Sequence, residues 1–530
     1  MKDTVHNLTE EQRQQVEICL LKMQTCPLFK FSTRQFNFLK YLVDHTLNNN
    51  QDRLKGYTVA VEVFERPSNF DPSVDSIVRV EAGKLRAKLR EYYELYGQED
   101  AVRFVIPKGS YAVEINFTDL LVESVAQAST IIPEKPSIEV IPSLAVLPFI
   151  NLSSNPENNS HLIDGLVDNV IFLLSRLSGL FMISRQSSFC FRGSNTSSQD
   201  IGSALGVKYL VDGTFLQIND NLRVTVNLIE ASSGRNHWSD RYDFALNDIF
   251  LLQDKVALNI VKALKINLSM DEADLFGKEA TSSIEAHEAL LRGLECHWKY
   301  TPVYIAEARK HFAKAIKCDP SYAAAHAWLA RSIIHQWVMK WEVSTGLKEL
   351  AMQHAQTAVE LSPRHPYALA ILGWVHLWHK HLEPSINFCR EAVSLDHNNP
   401  ELLNFLSMAL SSAGYGEEAL LYIQKAIRLN PYSNPFYEFV LGQAYFVLED
   451  YDKAEAAYLH GCKLSATFIP NHVYLCTIYA HLGREDKMRE KRDYFLQLIG
   501  NDKSKIIEPP WTNKKWADFY EQLLVLAGIR

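Results

Sequence analysis

The densest basic chemistry in this sequence lies in RVEAGKLRAKLR, where Arg79, Lys84, Arg86, Lys88 and Arg90 accompany a single acid, Glu81. Guanidinium and ammonium groups at helical spacing suit phosphate, which they meet through charge-assisted hydrogen bonds. Arg103 and Lys108 add two cations further on. The whole chain opposes this, with 54 Lys+Arg against 62 Asp+Glu and a net charge of −8. Bulk charge therefore cannot hold nucleic acid, and binding would have to come from local placement. Residues 1–117 carry 16 charges of each sign and are neutral.

Along the same stretch, Val78, Ala82, Leu85, Leu89, Tyr92 and Tyr96 form one apolar stripe at helical spacing. Arg79, Arg86 and Arg90 fall on one flank, with Lys84 and Lys88 on the other. Asp75 is the expected N-cap. Two amphipathic helices precede it, from Leu8 to Lys22 and in FSTRQFNFLKYLVDHTLNN, where Ser32 and Gln35 fit a capping box. A short helix follows in LKGYTVAVEVF. AVRFVIPKGSYAVEI then alternates around Pro107, Lys108 and Gly109, a hairpin with a basic tip. Helices, a basic helix and a basic-tipped hairpin come in the order of a winged helix. That order predicts a helix for the major groove and a wing for backbone or minor groove.

At 530 residues the chain should divide into about three domains. Residues 118–142 read as a linker rich in Ser, Pro and Glu. Residues 143–269 interleave helix and strand: SLAVLPFI as a buried strand, HLIDGLVDNVIFLLSRLSG as a helix, and a hairpin turning at Asn219-Asp220. These predict a small α/β domain. Asp164-Gly165 reads as a turn or cap. The rest is helical and repeats. Pro363, His397 and Pro431 stand 34 residues apart, Ala466 follows after 35, and Pro320 precedes Pro363 by 43, which implies an insertion near VMKWEVSTGLKE. A 34-residue period with this small and large pattern is the tetratricopeptide signature. About five units fit between 283 and 490, stacked into an α-solenoid with a concave groove. Residues 491–530 read as closing helices.

Other constellations carry less. His376, His379 and His381 crowd together, but no cysteine or carboxylate completes a metal set, so no metal is expected. Trp298, Trp328, Trp337, Trp341, Trp374 and Trp378 suit core packing, with some available to line a peptide groove. The eight cysteines form no CxxC pair and read as small buried hydrophobes in a reducing compartment. No GxxxxGK[ST], HExxH or GxSxG occurs, so no catalytic residue or cofactor is expected. No run reaches the ~18 apolar residues of a membrane helix, and the N-terminus lacks a signal core, which together point to the cytoplasm and no membrane contact.

Residues 16–117 resemble the winged-helix module of bacterial response regulators of the OmpR/PhoB type and of ToxR- and CadC-type activators. VRVEAGKLRAKL looks like the recognition helix and IPKGSYAV like the wing. LKGYTVAVEVF with FDPSVDSIVRVEAGKLR is similar to a subgroup that joins this module to a TolB-N-terminal/FlgO-like α/β domain and tetratricopeptide repeats. Many of its members are labelled adenylate cyclase-like by domain association. SLAVLPFINLSS, LGVKYLVDGTF and DRYDFALNDIFLLQDKV resemble that middle domain. The resemblance places Lys84 and Arg86 at commonly basic recognition-helix positions and Lys108 at the wing tip. Glu81 and Gly83 depart from the response-regulator pattern. The resemblance implies a one-component transcriptional regulator binding double-stranded DNA through Lys84, Arg86 and Lys108, and the basic helix flanks and hairpin add Arg79, Lys88, Arg90 and Arg103 as expected contacts. The remaining domains would sense a ligand or partner or drive self-association. The alternative is a repeat scaffold whose winged helix contacts protein.

Overall fold

The computed structural model describes residues 9–117 and 142–530, apart from 27–28, 30–32, 49, 65, 68–76, 96, 98–99, 108–109, 154–155, 220, 246–247, 267, 274, 276–280, 282 and 343. The chain is mainly helical and divides into two compact units, residues 1–138 and 139–530.

In the first unit, α1 (Glu10–Thr25) starts on a capping box of its own, in addition to the one expected further on. Thr9 Oγ1 accepts from Gln12 N at 3.2 Å, and Gln12 Oε1 accepts from Thr9 N at 3.0 Å. α2 (Thr33–Leu47) and the short α3 (Gly56–Glu62) follow, then α4 (Ile77–Leu95). The expected stripe holds: Val78, Ala82, Leu85, Leu89 and Tyr92 are buried. Each such aliphatic or aromatic side chain contributes roughly 1.5–3 kcal/mol when fully buried. Gln35 does not close the expected capping box in the way read. It donates to Glu81 on α4, while Ser32 and Asp75 lie outside the described residues. β1 (Val102–Val105) and β2 (Glu114–Phe117) pair antiparallel, Val102 opposite Phe117. Asp100 ties the end of this unit together: it accepts from Tyr92 Oη at 2.8 Å and pairs with Lys22. The same carboxylate faces the Cys19 thiol, which burial and Asp100 push up to about 12.

The second unit opens with a mixed sheet. Its strands are β3 (Ser143–Val146), β4 (Ile150–Asn151), β5 (Phe181–Met182), β6 (Tyr209–Ile218), β7 (Asn221–Glu230) and β8 (Arg235–Ala245). The order is β5-β3-β6-β7-β8, with β4 beside β6; β3, β4, β5 and β6 run parallel, and β6 to β8 form an antiparallel meander. The turn at Asn219 is as read, with φ at 52°. Alternation sends Leu144 and Val146 to one face and Ala145 to the other. The first face packs on α5 (Pro156–Ser175) and α8 (Ile249–Ala263), the second on α7 (Ser198–Leu205); α6 (Arg185–Phe189) joins β5 to it. Gly165 lies inside α5, so the expected turn or cap at Asp164-Gly165 is corrected. α9 (Met270–Ala273) is one turn whose Glu272 accepts from Ser178 N at 2.7 Å.

The repeats form six helical hairpins among the described residues, not the five counted from sequence. They are α10 (Ile284–His297) with α11 (Pro302–Cys318), α12 (Ala323–Val338) with α13 (Leu347–Leu361), and α14 (Pro366–Trp378) with α15 (Leu382–Leu395). Then come α16 (Pro400–Ala413) with α17 (Gly416–Leu429), α18 (Pro435–Val447) with α19 (Tyr451–Leu464), and α20 (Ile469–His481) with α21 (Glu485–Leu498). Proline at the first turn of α14, α16 and α18 fits a position that needs no backbone donor. The insertion near residue 341 is the loop joining α12 to α13. The boundary read at 490 falls inside α21. α22 (Lys514–Leu526) closes the stack: Asn513 Nδ2 donates to Ala413 O at 3.0 Å, and Tyr520 meets Tyr474 at 4.8 Å between rings.

Candidate functional site

The sheet layer docks on the repeats through residues that repeat at 34. Asp396 and Asn430 occupy equivalent positions after α15 and α17. Asp396 accepts from Ser175 Oγ at 3.2 Å. Asn430 Oδ1 accepts from Ser184 Oγ at 2.7 Å and Ser187 Oγ at 2.6 Å, and its amide donates to Gln186 Oε1 at 3.1 Å. Ser184 N donates to Leu429 O at 2.9 Å, and Asn398 Nδ2 to Leu180 O at 2.8 Å. A third contact needs a small residue. A Cβ on Gly165 would sit 2.4 Å from Leu291 of α10, so α5 reaches α10 because that position is glycine.

Beside this seam lies a cavity of about 690 Å³, within the range of small-molecule sites. Its aromatic wall is continuous. Trp298 and Trp328 stand 5.9 Å apart edge-on, and Trp328 stacks on Tyr367 at 4.3 Å. The Arg185 guanidinium lies 5.4 Å from the Trp298 ring and pairs with Asp168 at 2.5 Å and Asp164 at 3.3 Å. Burial pushes Asp168 up to about 7, Arg185 opposing and Asp164 adding to it. Deeper, Arg331 is 2% exposed; it pairs with Glu401 at 3.5 Å and donates to Tyr300 Oη at 3.0 Å. Glu401 also accepts from Tyr437 Oη at 3.0 Å. His287 and His365 are held down to about 4, chiefly by burial, so both are neutral at pH 7.

Asp396 yields a pH prediction. It is 0% exposed, and burial raises its carboxyl from 3.8 to about 6 despite hydrogen bonds and Arg176. A raised folded pKa gives stability that is full below the unfolded value and lost as pH climbs through the folded one. Asp396→Asn should therefore gain on the wild type between about pH 4 and 6, by about 2–3 kcal/mol, with a flat difference above pH 7. Urea melts across pH measure that gap; a constant gap would contradict the assignment.

The residues read as DNA contacts are distributed differently from expectation. Arg79 and Lys84 are exposed, Lys84 pairing with Glu81 at 3.2 Å. Arg86 turns to the hairpin: Nε donates to Ile106 O at 2.8 Å, and Nη2 to Pro107 O at 3.0 Å and Ser110 O at 3.3 Å. It fixes the loop between β1 and β2 to α4. Lys88 and Arg90 are half-buried, and the Arg103 guanidinium lies 5.3 Å from the Tyr93 ring. Lys108 lies outside the described residues. A Cβ on Gly83 would meet nothing within 4 Å, which excludes tight packing as the reason for glycine there.

Among the described residues no His, Cys, Asp and Glu group of three could hold a metal. His376 Nδ1 and His381 Nδ1 stand 3.2 Å apart, while His379 Nε2 faces Lys348 O. Trp374 and Trp378 are buried core, whereas Trp298 and Trp328 line the cavity. Cys190 is exposed, unlike the buried thiols expected; Cys19, Cys26, Cys389 and Cys476 are buried, and none of the eight is bonded. No helix among the described residues is long and apolar enough to cross a membrane.

Comparison with known proteins finds the tetratricopeptide repeat at residues 439–468, covering α18 and α19. A protein of Rhizobium meliloti (strain 1021) called putative adenylate cyclase 3 is 32% identical over 246 residues, 45% of this chain and 42% of that protein. The chain thus spans less than half the length of that relative. Among solved structures, a thermophilic tetratricopeptide protein of Thermus thermophilus is 19% identical, covering 36% of this chain and 98% of that one, with a TM-score of 0.30. The human IFIT1 dimer with m7Gppp-AAAA is 15% identical, covering 48% and 66%, with a TM-score of 0.36.

Proposed function

We propose that this chain is an interaction scaffold whose repeats take a protein partner. One observation carries the reading. Leu361, Leu395, Leu429, Leu464 and Leu498 end successive outer helices. Leu429, whose carbonyl accepts from Ser184 of the sheet layer, is 0% exposed, whereas Leu361, Leu464 and Leu498 are 41%, 45% and 40% exposed. This row of positions meets the sheet layer through the Leu429 carbonyl, and at Leu361, Leu464 and Leu498 it carries an uncovered leucine. Exposed apolar residues in register suit a protein surface. Crosslinking of the full chain in its native extract should concentrate intermolecular links on α19 and α21. Links spread evenly over both units would count against the ridge. The scaffold reading assigns no catalytic role and a cytoplasmic location, and the cyclase name of the relative is not carried over.

A second reading has its own support. Exposed Arg79, Lys84 and Gly83 share α4, and Arg86 braces the neighbouring hairpin. This placement supports a reading in which the face meets DNA as a winged helix does, with backbone able to approach closely at Gly83. Gly83→Ala should stabilise the chain by about 0.5–1 kcal/mol, since helix interiors favour alanine and the space is open. If the face meets DNA, the same change should weaken capture of genomic fragments, as should Lys84→Ala. A stabilised Gly83→Ala chain with unchanged fragment capture would remove this reading.

A further inference from the structure

We infer that the cavity between the sheet layer and the repeats binds a small organic acid with a flat apolar body, its carboxylate on Arg176 and Arg364 and its body on the Trp298, Trp328 and Tyr367 rings. All five residues line the one cavity. The inference is independent of the protein partner on the leucine ridge.

Charge sets the sign of the head group. Three acids line the cavity and none is free: Asp168 is paired with Arg185, Glu401 with Arg331 and Tyr437, and Asp254 has a partner of its own. Arg176 and Arg364 are not matched in this way. Their guanidiniums repel, and the nearest acid acting on Arg176 is Asp396, which Ser175 and Asn399 also hold. Burial lowers the Arg176 pKa, Asp396 opposes this, and Arg364 lowers it further. Among the described residues no carboxylate pairs with Arg364, and Arg176 Nε is buried without an acceptor. Two guanidiniums lining one cavity, without a carboxylate of their own to bridge them, fit an incoming carboxylate, which accepts hydrogen bonds from both and cancels the repulsion. An ammonium there would add a third positive charge.

Shape sets the body. Trp298, Trp328 and Tyr367 form a contiguous ring surface. Trp298 Nε1 is buried with no acceptor among the described residues, so a body carrying one ring oxygen is also accommodated. Stacking on such a wall favours planar groups.

The test uses the full chain and matched probes: indole-3-acetate and phenylacetate against tryptamine and phenethylamine. Titration calorimetry reports occupancy, because the indole probes share tryptophan's emission, and the thermal midpoint reports linkage. Both acids should bind saturably and raise the midpoint, and neither amine should. Arg364→Ala, at an exposed position, should weaken acid binding by about tenfold or more without lowering the unliganded midpoint, since it removes a repulsion. Arg364→Lys should retain part of the affinity. The inference falls if the amines bind as tightly as the acids, if Arg364→Ala leaves acid binding unchanged, or if neither acid binds at millimolar concentration to protein with native circular dichroism.

Discussion

Arg331→Ala is expected to cost about 3–5 kcal/mol of unfolding free energy, the largest loss foreseen for one side chain in the repeats. The guanidinium is 2% exposed and reaches from α12 to the start of α16, two hairpins further along the stack. It pairs with Glu401, donates to Tyr300, and lies 4.7 Å from the Phe405 ring and 5.8 Å from that of Trp374. Alanine removes all four contacts, opens a cavity and leaves the Glu401 carboxylate to the Tyr437 hydroxyl, with no cation to balance it. Removing one partner of a buried pair is costly because the other charge stays buried. Replacing both is not. Arg331→Met with Glu401→Gln should therefore recover most of the loss. Urea denaturation of the wild type, Arg331→Met, Glu401→Gln and the double variant gives the coupling directly. A loss below about 1 kcal/mol for Arg331→Ala would mean the pair is solvated and does not lock the inner helices.

Asn430→Ala should cost roughly 2–4 kcal/mol and should do so at the seam rather than in either layer. Its side chain is 1% exposed and serves Ser184, Ser187 and Gln186 at once. Each buried polar group left without its partner costs about 1–3 kcal/mol. Ser184 Oγ and Ser187 Oγ still accept, from Ser187 N at 3.4 Å and Tyr432 N at 2.9 Å, but both hydroxyl protons lose their acceptor and Gln186 Oε1 loses its donor. Because the seam joins sheet and repeats, calorimetry should resolve two transitions where the wild type gives one. A single transition at the wild-type midpoint would show that Asn430 is not what couples them.

The two layers are unequally legible in the sequence. Pro363, His397 and Pro431 at 34-residue intervals announce the repeats, since each hairpin reuses the same positions. β8 escapes because RNHWSDRYDFA is an edge strand in which Tyr242 is the buried residue. Its charged, exposed face breaks the alternation that marks a strand and suits an edge that must resist pairing. Arg86 shares a helical flank with Arg79 and Arg90, so spacing groups them. Only the hairpin's position separates a brace from an exposed cation. The seam leaves one trace in the sequence, the 34-residue interval between Asp396 and Asn430, and nothing local marks those two as docking residues. The cavity leaves none. Its walls come from residues 165–186, 253–275 and 287–437, and local periodicity cannot report how such distant segments meet.

The most direct test of the scaffold reading is the mass of the complex the chain forms. Full-length protein recovered from nuclease-treated native extract would be sized by light scattering, beside a Leu464→Asp/Leu498→Asp chain. The scaffold reading expects the wild type to run with a protein partner at fixed stoichiometry, and the double variant, folded by circular dichroism, to run without it. An unchanged complex in the double variant, or a wild type whose only partner disappears with nuclease, would contradict it.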